Sequence, residues 1–237
     1  MADIQGILFD KDGVFVDFEK TWTPVLKAAA HEIAAGEQSA GERLLQVAGL
    51  DPASDRFLPG SIWAAGHADD LVEAWLPLAG GRSRQQLFDL VGAHCVKAEP
   101  HPVLVHDDQF RIFSELKRQG LKLGVATNDM EASAKATVAH FGLSDVFDIV
   151  LGYDSVANPK PAGDPVVAFS GHTGLLPGAV MMVGDNTHDM HCGRAGGAGL
   201  CVGVLSGNST HAELSALADH VIEDISFLQG LLAQLRG

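Results

Sequence analysis

Residues 6–14 read Gly6-Ile7-Leu8-Phe9-Asp10-Lys11-Asp12-Gly13-Val14. An apolar run without alternation stops at two carboxylates one residue apart, followed by a glycine. A short run that is apolar at every position predicts a strand buried on both faces, as in the parallel sheets of α/β proteins. On an extended chain residues i and i+2 point the same way, so Asp10 and Asp12 reach one crevice from the carboxyl end of the strand. Ligands of open α/β sheets bind at that end. Two carboxylates this close repel and need a proton or a cation between them. Mg2+ suits such a pair, because it takes one or two carboxylates, keeps several waters and pairs with a substrate phosphate. A strand that ends in an ordinary polar Asp-Gly turn accounts for the same residues.

Beyond this strand the character of the chain changes twice. Residues 18–97 carry apolar stripes at helical spacing, including Trp22, Val25, Leu26, Ala29 and Ile33 in one segment and Trp63, Leu71, Val72, Trp75 and Leu76 in another. This block reads as all helical, with a loop from Asp51 to Ser61 and one helix from Ser61 to Leu78. After Glu99-Pro100-His101-Pro102, which suits a linker, strands and helices alternate. Strands are expected at 121–126, 147–150, 179–183 and 200–204, with an edge strand at 220–222. Alternation of this kind implies a parallel sheet with right-handed crossovers. The helical block is then an insertion behind the first strand, giving a discontinuous core of residues 1–17 and 98–237 around an inserted unit of residues 18–97.

Composition narrows the partners. The chain has 237 residues, 46% of them hydrophobic, enough for one large or two small domains with a real core. The formal net charge is −14, which disfavours a nucleic-acid backbone or an anionic membrane as partner. Three cysteines without metal-like spacing read as reduced thiols. The first residues lack a basic region followed by an apolar stretch, and no stretch is long enough to span a bilayer, so a cytoplasmic protein is expected, monomer or homodimer.

The later strand ends also carry chemistry. Residues 121–126 run into Thr127-Asn128, a hydroxyl and an amide where a helix opens, suited to phosphate oxygens; a helix cap explains the same pair. Lys160 lies between Pro159 and Pro161, a compact positive charge on a stiffened backbone. Residues 179–183 lead to Gly184-Asp185-Asn186-Thr187-His188-Asp189. Asp185 and Asp189 are four apart and face one crevice if a helix starts at once. One would complete a Mg2+ site and the other would hold Lys160, although Asp is favoured at helix starts anyway. His188 and His191 read as surface histidines.

Taken together, Asp10-Lys11-Asp12-Gly13-Val14, Thr127-Asn128, Lys160 and Gly184-Asp185…Asp189 resemble, in order, the four motifs of the haloacid dehalogenase (HAD) superfamily. The likeness covers the whole chain, since the inserted unit is similar to that family's α-helical cap of the first type (C1). Within the family the chain is most similar to phosphoglycolate phosphatases, with the tract Lys160, Pro161, Pro165 typical of that branch. Lys11 and Val14 depart from it, standing where Leu and Thr are frequent. The resemblance implies an α/β fold, a Rossmann-like parallel-sheet core with an inserted all-α cap. It implies a Mg2+-dependent phosphomonoester hydrolase acting on a small phosphorylated metabolite, most of all 2-phosphoglycolate. Asp10 would be the nucleophile and Asp12 the general acid–base. Thr127, Asn128 and Lys160 would bind phosphate. Asp10, Asp12 (through its carbonyl) and Asp185 would hold the metal, with Asp189 in support. The cap would set specificity, with Arg56 and Trp63 as substrate-contact candidates beside their ordinary readings as a solvated arginine and a packing tryptophan. A sugar phosphomutase or another sugar-phosphate phosphatase of the same superfamily would use the same core residues. A phospho-accepting receiver module would need neither the cap nor Asp12.

Overall fold

The structure, a computed structural model, describes residues 3–58, 60–98 and 102–236. Residues 99–101 of the linker read at 99–102, and the proline of the Leu58-Pro59-Gly60 turn, lie outside them. In chain order the elements are β1 (Gly6–Phe9), α1 (Phe18–Ile33), α2 (Gln38–Ala48), β2 (Leu50–Asp51), β3 (Arg56–Phe57), α3 (Ile62–Ala65), α4 (Ala68–Trp75) and α5 (Arg84–Ala98). Then follow α6 (Gln109–Arg118), β4 (Lys122–Ala126), α7 (Glu131–His140), β5 (Ile149–Leu151), α8 (Asp164–Thr173), β6 (Val180–Gly184), α9 (Thr187–Gly196), β7 (Leu200–Val204), α10 (His211–Ser215), β8 (His220–Ile222) and α11 (Leu228–Arg236). The chain divides into two compact units, residues 1–17 with 104–237, and residues 18–103.

In the first unit six strands form one parallel sheet in the order β5-β4-β1-β6-β7-β8. β1 is therefore an inner strand, and Ile7, Leu8 and Phe9 are each fully buried. Their side chains alternate between two cores. Ile7 and Phe9 pack with Phe113, Phe147, Met181 and Val183. Leu8 packs with Phe169, Met182 and Met190 on the opposite face. Burial on both faces is why the run is apolar at every position. From β1 the chain goes on to β4 on one side, whereas from β6 it goes on to β7 on the other. Between the carboxyl ends of β1 and β6 the order reverses, and a crevice opens at such a switch point.

Small residues let the layers close. A methyl built at Gly124 would stand 2.6 Å from the Phe169 ring. One built at Gly193, inside α9, would stand 2.5 Å from Cys201 Sγ and 2.9 Å from Met182 Cβ. α9 thus lies directly on β6 and β7, and Asp189 is one turn before that contact.

The second unit packs its helices around Trp22, Leu26, Leu44, Leu71, Trp75 and Leu87. The Trp75 indole N–H donates to Leu44 O at 2.8 Å. Three features differ from the sequence reading. The block is not purely helical, because β2 and β3 pair as an antiparallel hairpin. Two-residue strands are too short to show alternation, and the turn between them is built by Asp51, whose carboxylate accepts from Ala53 N and Ser54 N. The single helix read from Ser61 to Leu78 is broken. α3 ends at Gly66, which is extended and passes so near Ile62 O that a methyl there would stand 2.6 Å from it. α4 then starts afresh, with Asp70 Oδ2 accepting from His67 N. The rear boundary of the unit also lies later than read, at 103/104 rather than 97/98, since α5 runs through Ala98 and Val103 N donates to Thr21 Oγ1. Among the described residues no helix is long and apolar enough to cross a membrane.

Replacing Gly193 by Ala is expected to lower the unfolding free energy by about 1–3 kcal/mol, the usual cost of overpacking a tight layer. Urea denaturation followed by circular dichroism measures it; a variant as stable as the parent would contradict this account of how α9 is seated.

Candidate functional site

The site grows from the end of β1. Asp10 N–H still donates to Val183 O at 2.8 Å, so Asp10 leaves the ladder in strand geometry. The chain then reverses around one carbonyl. Lys11 O accepts from Phe15 N at 3.1 Å and Val16 N at 3.0 Å, and Gly13 N donates to Val16 O at 2.7 Å. Gly13 has φ +75°, and a methyl on it would stand 2.5 Å from Asp185 Oδ2. Both the conformation and the approach exclude other residues. The turn after β1 is thus pressed against the carboxylate that ends β6.

At that second strand end, Gly184 admits Asp189 so closely that a methyl would stand 2.2 Å from Asp189 Oδ2. Asn186 caps α9, and the Asp189 carboxylate accepts from Asn186 N at 3.0 Å. One oxygen of Asp189 is committed to the helix start in this way. Its other oxygen, Oδ1, lies 2.7 Å from Lys160 Nζ, which also stands 2.8 Å from Asp10 Oδ1. Lys160 is almost wholly buried and its peptide with Pro161 is cis. From β4, Asn128 Nδ2 donates to Lys160 O at 3.3 Å. Thr127 Oγ1 accepts from Asp129 N at 3.1 Å. Neither Thr127 nor Asn128 caps the following helix: the cap position belongs to Met130, and Glu131 N is satisfied by Asp154 Oδ1.

The electrostatics follow from burial. The Asp10 carboxyl is pushed up to about 6, first by burial and then by the nearby Asp189 charge, against the pull of Lys160. Asp185 is pushed well above the ordinary carboxylate range by burial, Asp189 and Asp10. For Asp189, burial opposes ionisation, but His188 and Lys160 outweigh it and hold its carboxyl low. Lys160 is held protonated, its desolvation outweighed by Asp10 and Asp189. One ammonium thus serves Asp10 and Asp189, and Asp185 is left as a buried acid short of positive charge. That shortage fits a divalent cation held by Asp10 and Asp185, the set expected together with the Asp12 carbonyl. Asp10, His188 and Asp189 also offer ligand atoms all within 4.8 Å of one another, on the side that Lys160 already neutralises.

Asp10, Lys160, Asp185 and Asp189 are therefore brought together, with Thr127 and Asn128 at the next strand end. Asp12 adjoins them, its carboxylate turned to Lys11 at 2.7 Å. Arg56 and Trp63 belong to the second unit. Arg56 is exposed on the hairpin, and Trp63 is half-buried with its ring 6.4 Å from that of Phe57. Three features lay outside the sequence reading. His188 is not a surface residue, because its Nε2 lies 3.3 Å from Asp189 Oδ1 and its side chain is largely buried. Its place one residue before Asp189 on the capped helix was the available signal. Lys11 pairs with Asp129 as well as Asp12. The segment after β7 closes the site, with Ser206 Oγ donating to Gly13 O at 2.6 Å and Asn208 N to Asp185 Oδ2 at 2.9 Å. Only the Gly-rich Ser206-Gly207-Asn208 stretch behind an apolar strand hinted at it.

Comparison with known proteins bears on this geometry. The family model described as haloacid dehalogenase-like hydrolase matches residues 7–202. A phosphoglycolate phosphatase of Yersinia pestis is 28% identical over 209 residues, covering 86% of this chain and 82% of that protein. Pyrophosphatase PpaX of Bacillus velezensis is 33% identical over 101 residues, 42% of this chain and 47% of that protein. The crystal structure of a predicted phosphoglycolate phosphatase from Haemophilus somnus shares the fold with a TM-score of 0.76 at 19% identity, covering 98% of this chain and 99% of that one.

A methyl at Gly207 would stand 1.9 Å from Asp185 Oδ2. Gly207→Ala is expected to displace that carboxylate and weaken Mn2+ or Mg2+ binding by about tenfold or more, the usual scale when a supporting contact to a metal ligand is lost. Titration calorimetry on the folded variant measures this; unchanged affinity would remove Asp185 from the metal set.

Proposed function

Since the chain belongs to the haloacid dehalogenase-like hydrolases and is a phosphatase of that family, we propose that it hydrolyses a small phosphomonoester, 2-phosphoglycolate foremost, through a phosphoryl group carried on Asp10. One observation supports this above the rest. Carboxylates from two strand ends, Asp10 behind β1 and Asp185 and Asp189 behind β6, are buried together at the switch point of a parallel sheet, with Lys160 bridging Asp10 and Asp189.

In the first half-reaction an Asp10 oxygen forms a bond to phosphorus as the ester P–O bond breaks. A covalent route of this kind divides one hard displacement into two easier ones. Asp12 gives a proton to the leaving alkoxide, then takes one from the water that releases phosphate and restores Asp10. Thr127, Asn128 and Lys160 bind the transferring oxygens. Lys160 is suited to this because it keeps its charge in a buried setting while Asp189 fixes its position. Asp10, Asp185 and the Asp12 carbonyl would hold Mg2+, which supplies charge neutralisation and orientation of the phosphoryl group. Arg56 is offered as the partner of a substrate carboxylate. Val14, the departure noted in the first motif, is fully buried in the core and takes no part in the chemistry. A cytoplasmic protein with no nucleic-acid or membrane partner completes the reading.

Phosphate release from 2-phosphoglycolate, a neutral sugar phosphate and pyrophosphate tests it. The expected order puts 2-phosphoglycolate first, with turnover lost on chelation and restored by Mg2+. Asp10→Asn is expected to lower kcat by at least about 10³-fold while the protein stays folded, on the scale of removing a nucleophile. Near-normal turnover in that variant would overturn the covalent route. Preference for pyrophosphate, or sugar-phosphate isomerisation without release of phosphate, would overturn the substrate assignment.

A further inference from the structure

Lys11 sits between the two acids of the first strand end and has no part in the proposed reaction. Its side chain is fully buried. Its Nζ stands 2.7 Å from Asp12 Oδ2 and 3.4 Å from Asp129 Oδ2, and those two carboxylates are partly open to solvent, at 20% and 29% exposure. Its backbone joins the same centre. Lys11 N–H donates to Asp10 Oδ1 at 2.6 Å, and its carbonyl is the point around which the turn to Val16 folds. Asp129 is itself fixed, accepting from Ser133 Oγ at 2.7 Å and Met130 N at 2.7 Å.

An ammonium in this position is costly. Taking it out of water carries a desolvation penalty that only well-placed partners repay, here the carboxylates of Asp12 and Asp129. Packing therefore does not account for the charge. What the charge does is visible in its contacts. Asp12 lies in the turn that reverses the chain, with its carboxyl partly exposed. The ammonium holds one of its oxygens and ties it to the turn that follows β4. Proton transfer demands such placement, because a general acid must come within hydrogen-bonding distance of the oxygen it protonates.

We propose that Lys11 is a positioning residue that fixes the Asp12 carboxyl at the reacting centre, using Asp129 as its anchor. This rests on the reading of Asp12 as general acid–base. In the step concerned, the Asp10 oxygen–phosphorus bond forms, the ester P–O bond breaks with its electron pair going to the leaving oxygen, and the Asp12 proton moves to that oxygen. Misplacing Asp12 hurts most when the leaving group is a basic alkoxide. A nitrophenolate leaves without needing the proton.

Lys11→Met, Asp12→Asn and the double variant test this with 2-phosphoglycolate and p-nitrophenyl phosphate, both with Mg2+. Lys11→Met leaves the partly exposed Asp12 and Asp129 carboxylates without their ammonium and is expected to melt lower than the parent yet stay folded at assay temperature, which circular dichroism checks. Its kcat/KM for the alkyl ester should fall by about tenfold or more, and for the aryl ester by less than about threefold, within the range that general acid catalysis supplies. In the Asp12→Asn background the same change should add less than about threefold, because coupled residues are not additive. An equal fall for both esters, no fall for either, or additive losses would overturn the assignment. Should Lys11→Met not fold, Asp129→Asn is measured instead, with a smaller loss again confined to the alkyl ester; an unselective loss or none would overturn it. Failure of the parent protein to release phosphate from either ester would instead defeat the proposed function, and this inference with it.

Discussion

The structure depends on one buried charge cluster. Asp10, Asp185 and Asp189 are almost entirely removed from water, and one ammonium, that of Lys160, bridges Asp10 and Asp189. Like charges in such a setting cannot all ionise without a cation. Several local features of the chain answer to this demand. β1 and β6 are adjacent inner strands, so their ends deliver the acids side by side. Gly13, Gly184 and Gly207 stand where any side chain would strike Asp185 or Asp189. α9 is lowered onto the sheet through Gly193, which brings its first turn and Asp189 down to the strand ends. The tight packing of the core and the chemistry of its upper edge are one arrangement.

The chain as a whole carries a formal charge of −14, which repels an anionic ester at long range. Attraction has to be local. Lys160 supplies part of it, but Asp10 and Asp189 already draw on that charge. Asp185, pushed upward by burial and by its two acidic neighbours, marks where more positive charge is wanted. This is the physical reason why a divalent ion suits the site, where Asp185 Oδ2 accepts from the Asn208 N–H, a neutral donor. The Asp189 carboxylate shows the opposite outcome. A cap and a lysine satisfy it, and it remains ionised although fully buried.

Much of this is legible in the residues themselves. Gly6 to Phe9 is apolar at each position because both faces are covered, and the change to Asp10 marks where the strand emerges. Thr127 and Asp185 stand directly behind strand ends, where periodicity stops and chemistry starts, and Lys160 and Asp189 lie in the segments that follow β5 and β6. What sequence leaves hidden is pairing between distant segments. Lys11 looks like a turn residue until Asp129, which follows another strand, meets it. Ser206 and Asn208 lie behind β7 and declare nothing until the sheet order sets that loop beside Gly13 and Asp185. His188 reads as a surface histidine because its neighbour in space, Asp10, is far away in sequence. In the second unit, the Leu50–Phe57 hairpin is too short for a period, and Gly66 breaks a stripe whose apolar spacing runs on as if the helix were whole.

The central claim is that a phosphoryl group passes through the carboxylate of Asp10. Acid-quenching the protein within milliseconds of mixing with a radiolabelled phosphomonoester and Mg2+, followed by peptide mapping, observes that species itself. The account predicts label on the peptide bearing Asp10, formed and lost at rates compatible with turnover. Steady phosphate release with no label on Asp10, or with label on another residue, would contradict it.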